Sequence, residues 1–204
     1  MQRMTNYFIL FIKLIKNMRL YLIRHAESVA NAASDVDNPT YYYDSKITKR
    51  GIQQAKKLKE KIKNISFDKY FCSPLTRTLE TFSIVFPSQK PSIDPLIREH
   101  LYHSCDVGRQ PKYLKREFNN YDFNNLNDYW WNNNIPINTK KIVKETHNDI
   151  KVRLKSFILS IKDINLNKIV IVSHGTFLSQ ITDYMLDNCE IYDCEYSFVY
   201  KKFF

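Results

Sequence analysis

The sequence predicts an α/β fold built on a parallel sheet, and three features carry that prediction. Apolar runs of strand length recur at 19–23 (RLYLI), 67–72 (FDKYFC) and 168–173 (KIVIVS). The stretches between them repeat their apolar residues at helical spacing. Each run also ends in polar groups: Arg24 and His25, Ser73, then His174 and Gly175. In an open parallel sheet the carboxyl ends of the strands are where loops gather and ligands bind.

Taken in chain order, residues 1–17 form an N-terminal extension. Its apolar run NYFILFIKLI (6–15) is short and interrupted by Lys13, so it predicts neither a membrane span nor a secretory signal. An added strand, an added helix, or a start upstream of a protein that begins at Met18 all fit. Residues 18–204 are of a length for a single domain with one core. Thr48 is placed to cap a helix through Lys63, with Ile52, Ala55, Leu58 and Ile62 on one stripe. Pro74 suits the first turn of a helix carrying Leu75, Leu79, Phe82 and Val85. A third amphipathic segment covers 141–162, with Ile150, Leu154, Phe157, Ile158 and Ile161 facing inward, and a weaker apolar tail at 196–200 reads as a strand. Residues 100–140, rich in Asn, Asp, Tyr and Trp, keep no clean period; their aromatics need burial, which argues for a folded insertion, either a lid or a surface excursion.

Composition bounds the function. A net charge of +10 favours anionic partners, but no nucleic-acid signature accompanies the lysine runs, such as KKLKEKIK (56–63), which read as solvated helix faces. Nucleic acid is therefore not expected as a partner. Cys72, Cys105, Cys189 and Cys194 lack both CxxC spacing and disulfide-scaffold density, so structural thiols in a reduced, cytoplasmic setting are expected. His100, His103 and Cys105 offer half a zinc site, but no second cluster completes it, and no metal or other cofactor is expected.

The strand ends bring two histidines and, with Arg77, two arginines to one side of the sheet. Arginine presents a planar fork matched to phosphate oxygens, and the amides of a helix starting near Gly175 add positive potential. A neutral imidazole can attack phosphorus while a second, protonated one holds the charge on the phosphoryl oxygens. Phosphoryl transfer asks mainly for positioning and charge compensation, and such a set supplies both.

These residues also carry a resemblance. Arg24-His25-Ala26-Glu27 with Asn31, Ile47-Thr48-Lys49-Arg50-Gly51 with Gln54-Ala55, Ser73-Pro74-Leu75 with Arg77, Thr78 and Thr81, and Val172-Ser173-His174-Gly175 resemble, in order, four motifs of the histidine phosphatase superfamily. The resemblance, over about 18–187, implies a phosphoglycerate mutase-like three-layer sandwich, with a mostly parallel central sheet flanked by helices. It implies His25 as the phosphoryl-accepting nucleophile, Arg24 and Arg77 as phosphate clamps, and His174 as the second pocket histidine. The segment Ile93 to Glu99 resembles the one that supplies the family's acid, which implies that Glu99 protonates the leaving group, while Asn31 touches phosphate or substrate. Glu27 becomes a supporting residue. Ala26 stands where the family usually has glycine, and residues 32–47 lack the pattern of the cofactor-dependent mutases apart from the spacing of Asp44 to Thr48.

The expected activity is thus a metal-independent phosphomonoester hydrolase working through a phosphohistidine, on a small-molecule phosphate ester or a phosphorylated protein. The alternatives are mutase-type transfer to a second hydroxyl and a catalytically silent phosphate-binding module. Specificity is expected to lie in 32–47 and 100–140, where Tyr41, Tyr42, Tyr43, His103, Arg109, Trp130 and Trp131 either line a pocket or fill a small core.

Overall fold

The computed structural model describes residues 18–33, 42–132 and 142–204. The expectations for 1–17, for Tyr41 and for the end of the 100–140 stretch lie outside these residues. Five strands form one sheet in the order β3-β2-β4-β1-β5: β1 (Arg19–Arg24), β2 (Lys69–Cys72), β3 (Ser92–Ile93), β4 (Lys168–Ser173) and β5 (Ile191–Glu195). Strands β1 to β4 run parallel, and β5 pairs antiparallel with β1 at the edge. The sheet is flanked by helices on both faces, as expected.

Alternation along the central strands supplies two cores. Val170 and Val172 face one side with Ile23, whereas Ile169 and Ile171 face the other with Leu20 and Leu22. The first side is covered by α2 (Lys49–Ile62) and α3 (Thr76–Val85), the second by α5 (His147–Ser160), α6 (Gly175–Thr182) and α7 (Tyr196–Phe203). Two short helices, α1 (Val29–Ala32) and α4 (Pro111–Glu117), complete the set among the described residues.

Helix α2 begins as its cap predicts, with the Thr48 hydroxyl accepting from the Gly51 amide at 2.9 Å. Its buried stripe is Gly51, Ala55, Leu58 and Ile62. Gly51 therefore replaces Ile52 in the expected stripe. A Cβ on Gly51 would lie 2.3 Å from the Glu27 carbonyl oxygen, so only glycine lets the helix approach that backbone.

Two local expectations are corrected. Pro74 lies ahead of α3 rather than in its first turn, because Leu75 is still extended and the first helical amide, Thr76, donates to the buried Asp44 carboxylate at 2.7 Å. The tail at 196–200 is helical: Tyr196 and Val199, three apart, bury together against α5, and that face outweighs the β propensity of the aromatic run. The antiparallel strand lies just before it, as β5, where Cys194 is its buried side chain.

The described part of the insertion, through Asn132, is folded. Phe123, Leu126, Trp130 and Trp131 are buried in the core beside α3, and the Trp130 indole N–H donates to the Arg109 carbonyl at 2.9 Å. Arg109 in turn bridges Asp44, Thr76 and Glu117. Trp130, Trp131 and Arg109 are thus packing and bracing residues, and Tyr43 is exposed.

Candidate active site

Register builds the site. Arg24 at the end of β1 pairs with Ser173 at the end of β4, so the next residue on each strand, His25 and His174, emerges side by side. The His25 amide donates to the Ser173 carbonyl at 2.9 Å, and the Ser73 amide, from the end of β2, to the Val172 carbonyl at 3.1 Å. The two imidazole rings lie 5.1 Å apart, centroid to centroid. A cavity of about 520 Å³ opens over them, and its walls include Arg24, His25, Asn31, Arg77 and Glu99. The sixth expected residue, His174, is fully buried next to His25.

His25 Nδ1 is 2.7 Å from the Ala26 carbonyl. A carbonyl only accepts, so Nδ1 carries the hydrogen and Nε2 keeps its lone pair. Burial, reinforced by Arg77 and Arg24, pushes this imidazole well below its ordinary pKa, although the Ala26 contact raises it. The ring is neutral near pH 7. Burial and then Arg77 also push His174 well below the ordinary value. Its Nε2 lies 2.7 Å from Ser73 Oγ, while its Nδ1 is buried without a hydrogen-bond partner. Burial and Arg77 thus favour the neutral form of His174, and the protonated form expected while phosphoryl charge is in transit requires an incoming anion to offset the arginines.

Both arginines are braced by backbone. Arg24 donates to the Leu186 carbonyl at 2.5 Å, and its Nε is buried without a partner. Gly175 leaves room for it, since a Cβ there would stand 3.3 Å from that Nε and 2.3 Å from Met185 Sδ. Arg77 donates to the Cys105 carbonyl at 2.6 Å and to the Asp106 carboxylate at 3.0 Å. Asp106 had no role in the sequence reading.

Glu99 receives three backbone amides: His100 at 2.8 Å, and Thr176 and Phe177 of α6, each at 3.1 Å. The Thr176 and Phe177 amides, expected from the sequence to be free for a ligand, are therefore taken by this carboxylate. Burial and then Asp106 nonetheless raise the Glu99 carboxyl above its ordinary pKa. Its loop is clamped from behind. Glu145 accepts from Arg98 at 2.6 Å and from Arg153 at 2.7 and 2.8 Å, all three buried, and Arg153 also donates to the carbonyls of Leu96, Arg98 and Glu99. Nothing in the local sequence flags Glu145, because its partners lie up to 47 residues away.

Asn31 Oδ1 accepts from the Ser28 amide at 3.1 Å and from Asn188 at 3.3 Å, which leaves its Nδ2 donor for the cavity. Glu27 lies elsewhere: it accepts from the Thr48 hydroxyl at 2.7 Å and pairs with Arg50 at 3.2 Å, at the start of α2. His100, His103 and Cys105 line the cavity, but among the described residues no group of three or more His, Cys, Asp and Glu stands ready to hold a metal ion. The four cysteines are free thiols, and no helix among the described residues is long and apolar enough to cross a membrane.

The family model for the histidine phosphatase superfamily, branch 1, matches residues 20–194, a span that contains all of these side chains. The chain belongs to that superfamily. Its sequence is 28% identical over 165 residues to the adenosylcobalamin/alpha-ribazole phosphatase of Escherichia coli K12, covering 79% of this chain and 76% of that one. It is likewise 28% identical over 182 residues to a phosphoglycerate mutase family protein of Acanthamoeba polyphaga mimivirus, covering 82% and 79%. The alpha-ribazole phosphatase of Shigella flexneri superposes with a TM-score of 0.59 at 26% identity over 86% of this chain and 89% of that one. A phosphoglycerate mutase of Bacillus anthracis, at 16% identity, shares the fold with a TM-score of 0.59 over 93% and 99%. Histidine phosphatase superfamily members are phosphatases or mutases.

Proposed function

We propose that the protein is a metal-independent phosphomonoester hydrolase acting through a phosphohistidine at His25. The observation that carries this is the neutral His25 ring, with Nδ1–H committed to Ala26 and Nε2 left as a lone pair, in a cavity walled by two arginines. Nε2 attacks phosphorus, and the N–P bond forms as the bond to the leaving oxygen breaks. The Glu99 carboxyl, raised by burial and Asp106, delivers its proton to that oxygen. Arg24 and Arg77 hold the phosphoryl oxygens, Asn31 Nδ2 adds a donor, and His174 takes up a proton and stabilises the developing charge. In the second half, ionised Glu99 removes a proton from water as that water attacks phosphorus, the N–P bond breaks, and phosphate leaves with His25 restored. The substrate class is a phosphate monoester, whether a small molecule or a phosphorylated protein.

The test is turnover of p-nitrophenyl phosphate in the presence of a chelator. Wild type should hydrolyse it and carry acid-labile phosphate on His25, and His25→Ala should lose both. Wild-type-like activity in His25→Ala would sink the mechanism, and isomerisation of phosphoglycerate faster than its hydrolysis would replace the hydrolase with a mutase.

A further inference from the structure

The outer part of the cavity is walled by rings. The His100 ring lies 5.6 Å from Tyr102 and 5.2 Å from His147, centroid to centroid, with both pairs tilted by 36°. His103 meets Tyr102 nearly edge-on at 4.9 Å. All four side chains line the cavity, and Tyr102, His103 and His147 are exposed, so the row is not explained by core packing. Half-exposed Met185 adds a thioether to the same cavity.

The row has a fixed footing. His100 Nε2 lies 2.7 Å from the Glu145 carbonyl, on the residue that clamps the Glu99 loop, and Lys144 sits 4.2 Å over the Tyr102 ring. Arg24 and Arg77 are the only lysine or arginine side chains among the described cavity-lining residues. Among the described lining residues a second anionic group on the substrate would meet no further lysine or arginine, and Lys144 is engaged over the Tyr102 ring. A flat ring would meet aromatic side chains, together with a polarisable sulfur.

We infer that this ring-lined half is the leaving-group subsite, and that it selects phosphate monoesters whose alcohol carries a planar unsaturated ring. The inference rests on the phosphomonoesterase reading of the same cavity. Two substrates isolate it: benzyl phosphate and cyclohexylmethyl phosphate share the methylene attachment, similar bulk and an alkoxide leaving group, and differ in planarity. Wild type should favour the benzyl ester roughly three- to tenfold in kcat/KM, the range expected of one or two aromatic contacts. Tyr102→Ala and His147→Ala should each bring that ratio toward one. The ratio does not depend on how much of a variant is folded. A wild-type ratio near one, a ratio unchanged in both variants, or faster turnover of 5-carboxypentyl phosphate than of the benzyl ester would overturn the assignment. Hydrolysis of p-nitrophenyl phosphate separates the two levels. If it proceeds while the ratio is one, the subsite alone fails; if no ester is hydrolysed, the phosphatase reading fails and takes the subsite with it.

Discussion

Replacing Glu145 with glutamine removes the carboxylate that Arg98 and Arg153 share in the interior. Breaking a buried ion pair by neutralising one partner costs about 3–5 kcal/mol. Two features favour the lower end: glutamine keeps an acceptor oxygen, and carbonyls of Pro95, Trp131 and Leu96 already take donors from the two guanidinium groups. A loss of about 3 kcal/mol, at roughly 2–4 °C per kcal/mol for a chain of this size, lowers Tm by about 6–12 °C. The effect has a pH signature. Burial raises the Glu145 carboxyl, but the Arg153 hydrogen bond and the charges of Arg98 and Arg153 outweigh it and hold the carboxyl below its ordinary range. A depressed folded-state pKa contributes stability that is complete above the unfolded value, about 4.3, and is lost as the pH falls through the folded one. Thermal melts of wild type and Glu145→Gln should therefore differ most near neutrality and converge as the pH drops below about 4.3. Arg153 also holds the Glu99 carbonyl, so turnover of alkyl phosphates should fall more than that of p-nitrophenyl phosphate, which needs little help from an acid. A Tm offset under 2 °C at pH 7, or one undiminished in acid, would refute the reasoning.

Three further outcomes are expected. Glu99→Gln should reduce kcat for alkyl phosphates by about 10²-fold or more, whereas Glu27→Gln, altering only the α2 anchorage, should change it little; steady-state kinetics with an alkyl ester compares them, and the reverse order would assign the acid role to Glu27. Binding of inorganic phosphate near pH 7 should take up a proton, because burial and Arg77 hold His174 neutral and the anion favours its charged form. Uptake should vanish once the pH falls below the depressed His174 value, and titration calorimetry in buffers of different ionisation enthalpy reads it directly. Gly51→Ala should destabilise the fold by about 1–3 kcal/mol in chemical denaturation, since the added methyl meets backbone at 2.3 Å rather than a side chain that can swing away.

The central sheet was legible because β1 and β4 are apolar runs buried on both faces, and α2, α3 and α5 because one stripe of each helix is apolar. The two-residue β3 and the edge strand β5 were not. β3 is too short to carry a period, and β5 alternates around the charged Asp193, which pairs with Arg19. The run 196–200 misled because aromatic and β-branched residues favour strands, while the three-residue spacing of Tyr196 and Val199 decides for helix. At the site, the six anticipated side chains are brought together, since strand ends and motifs mark them. What could not be read was the charge state of His174, which depends on burial, and the tertiary partners Asp106 and Glu145, whose contacts to Arg77 and Arg98 span 29 and 47 residues. The occupied α6 amides belong to the same class: helix geometry predicts the donors, and only the folded loop shows that Glu99 takes them.

The pairing of Arg24 with Ser173 has one more consequence. The spacing of the two histidine rings is fixed by ladder hydrogen bonds between neighbouring strands, while the acid and the ring-lined wall ride on the connection from β3 to α5. The imidazole pair thus belongs to the rigid chassis, and the parts proposed to meet the rest of a substrate belong to a separate fitting. Exposed stretches between β3 and α5 can diverge without altering that strand register, provided that Glu145, Asp106 and the buried Phe123, Leu126, Trp130 and Trp131 are retained.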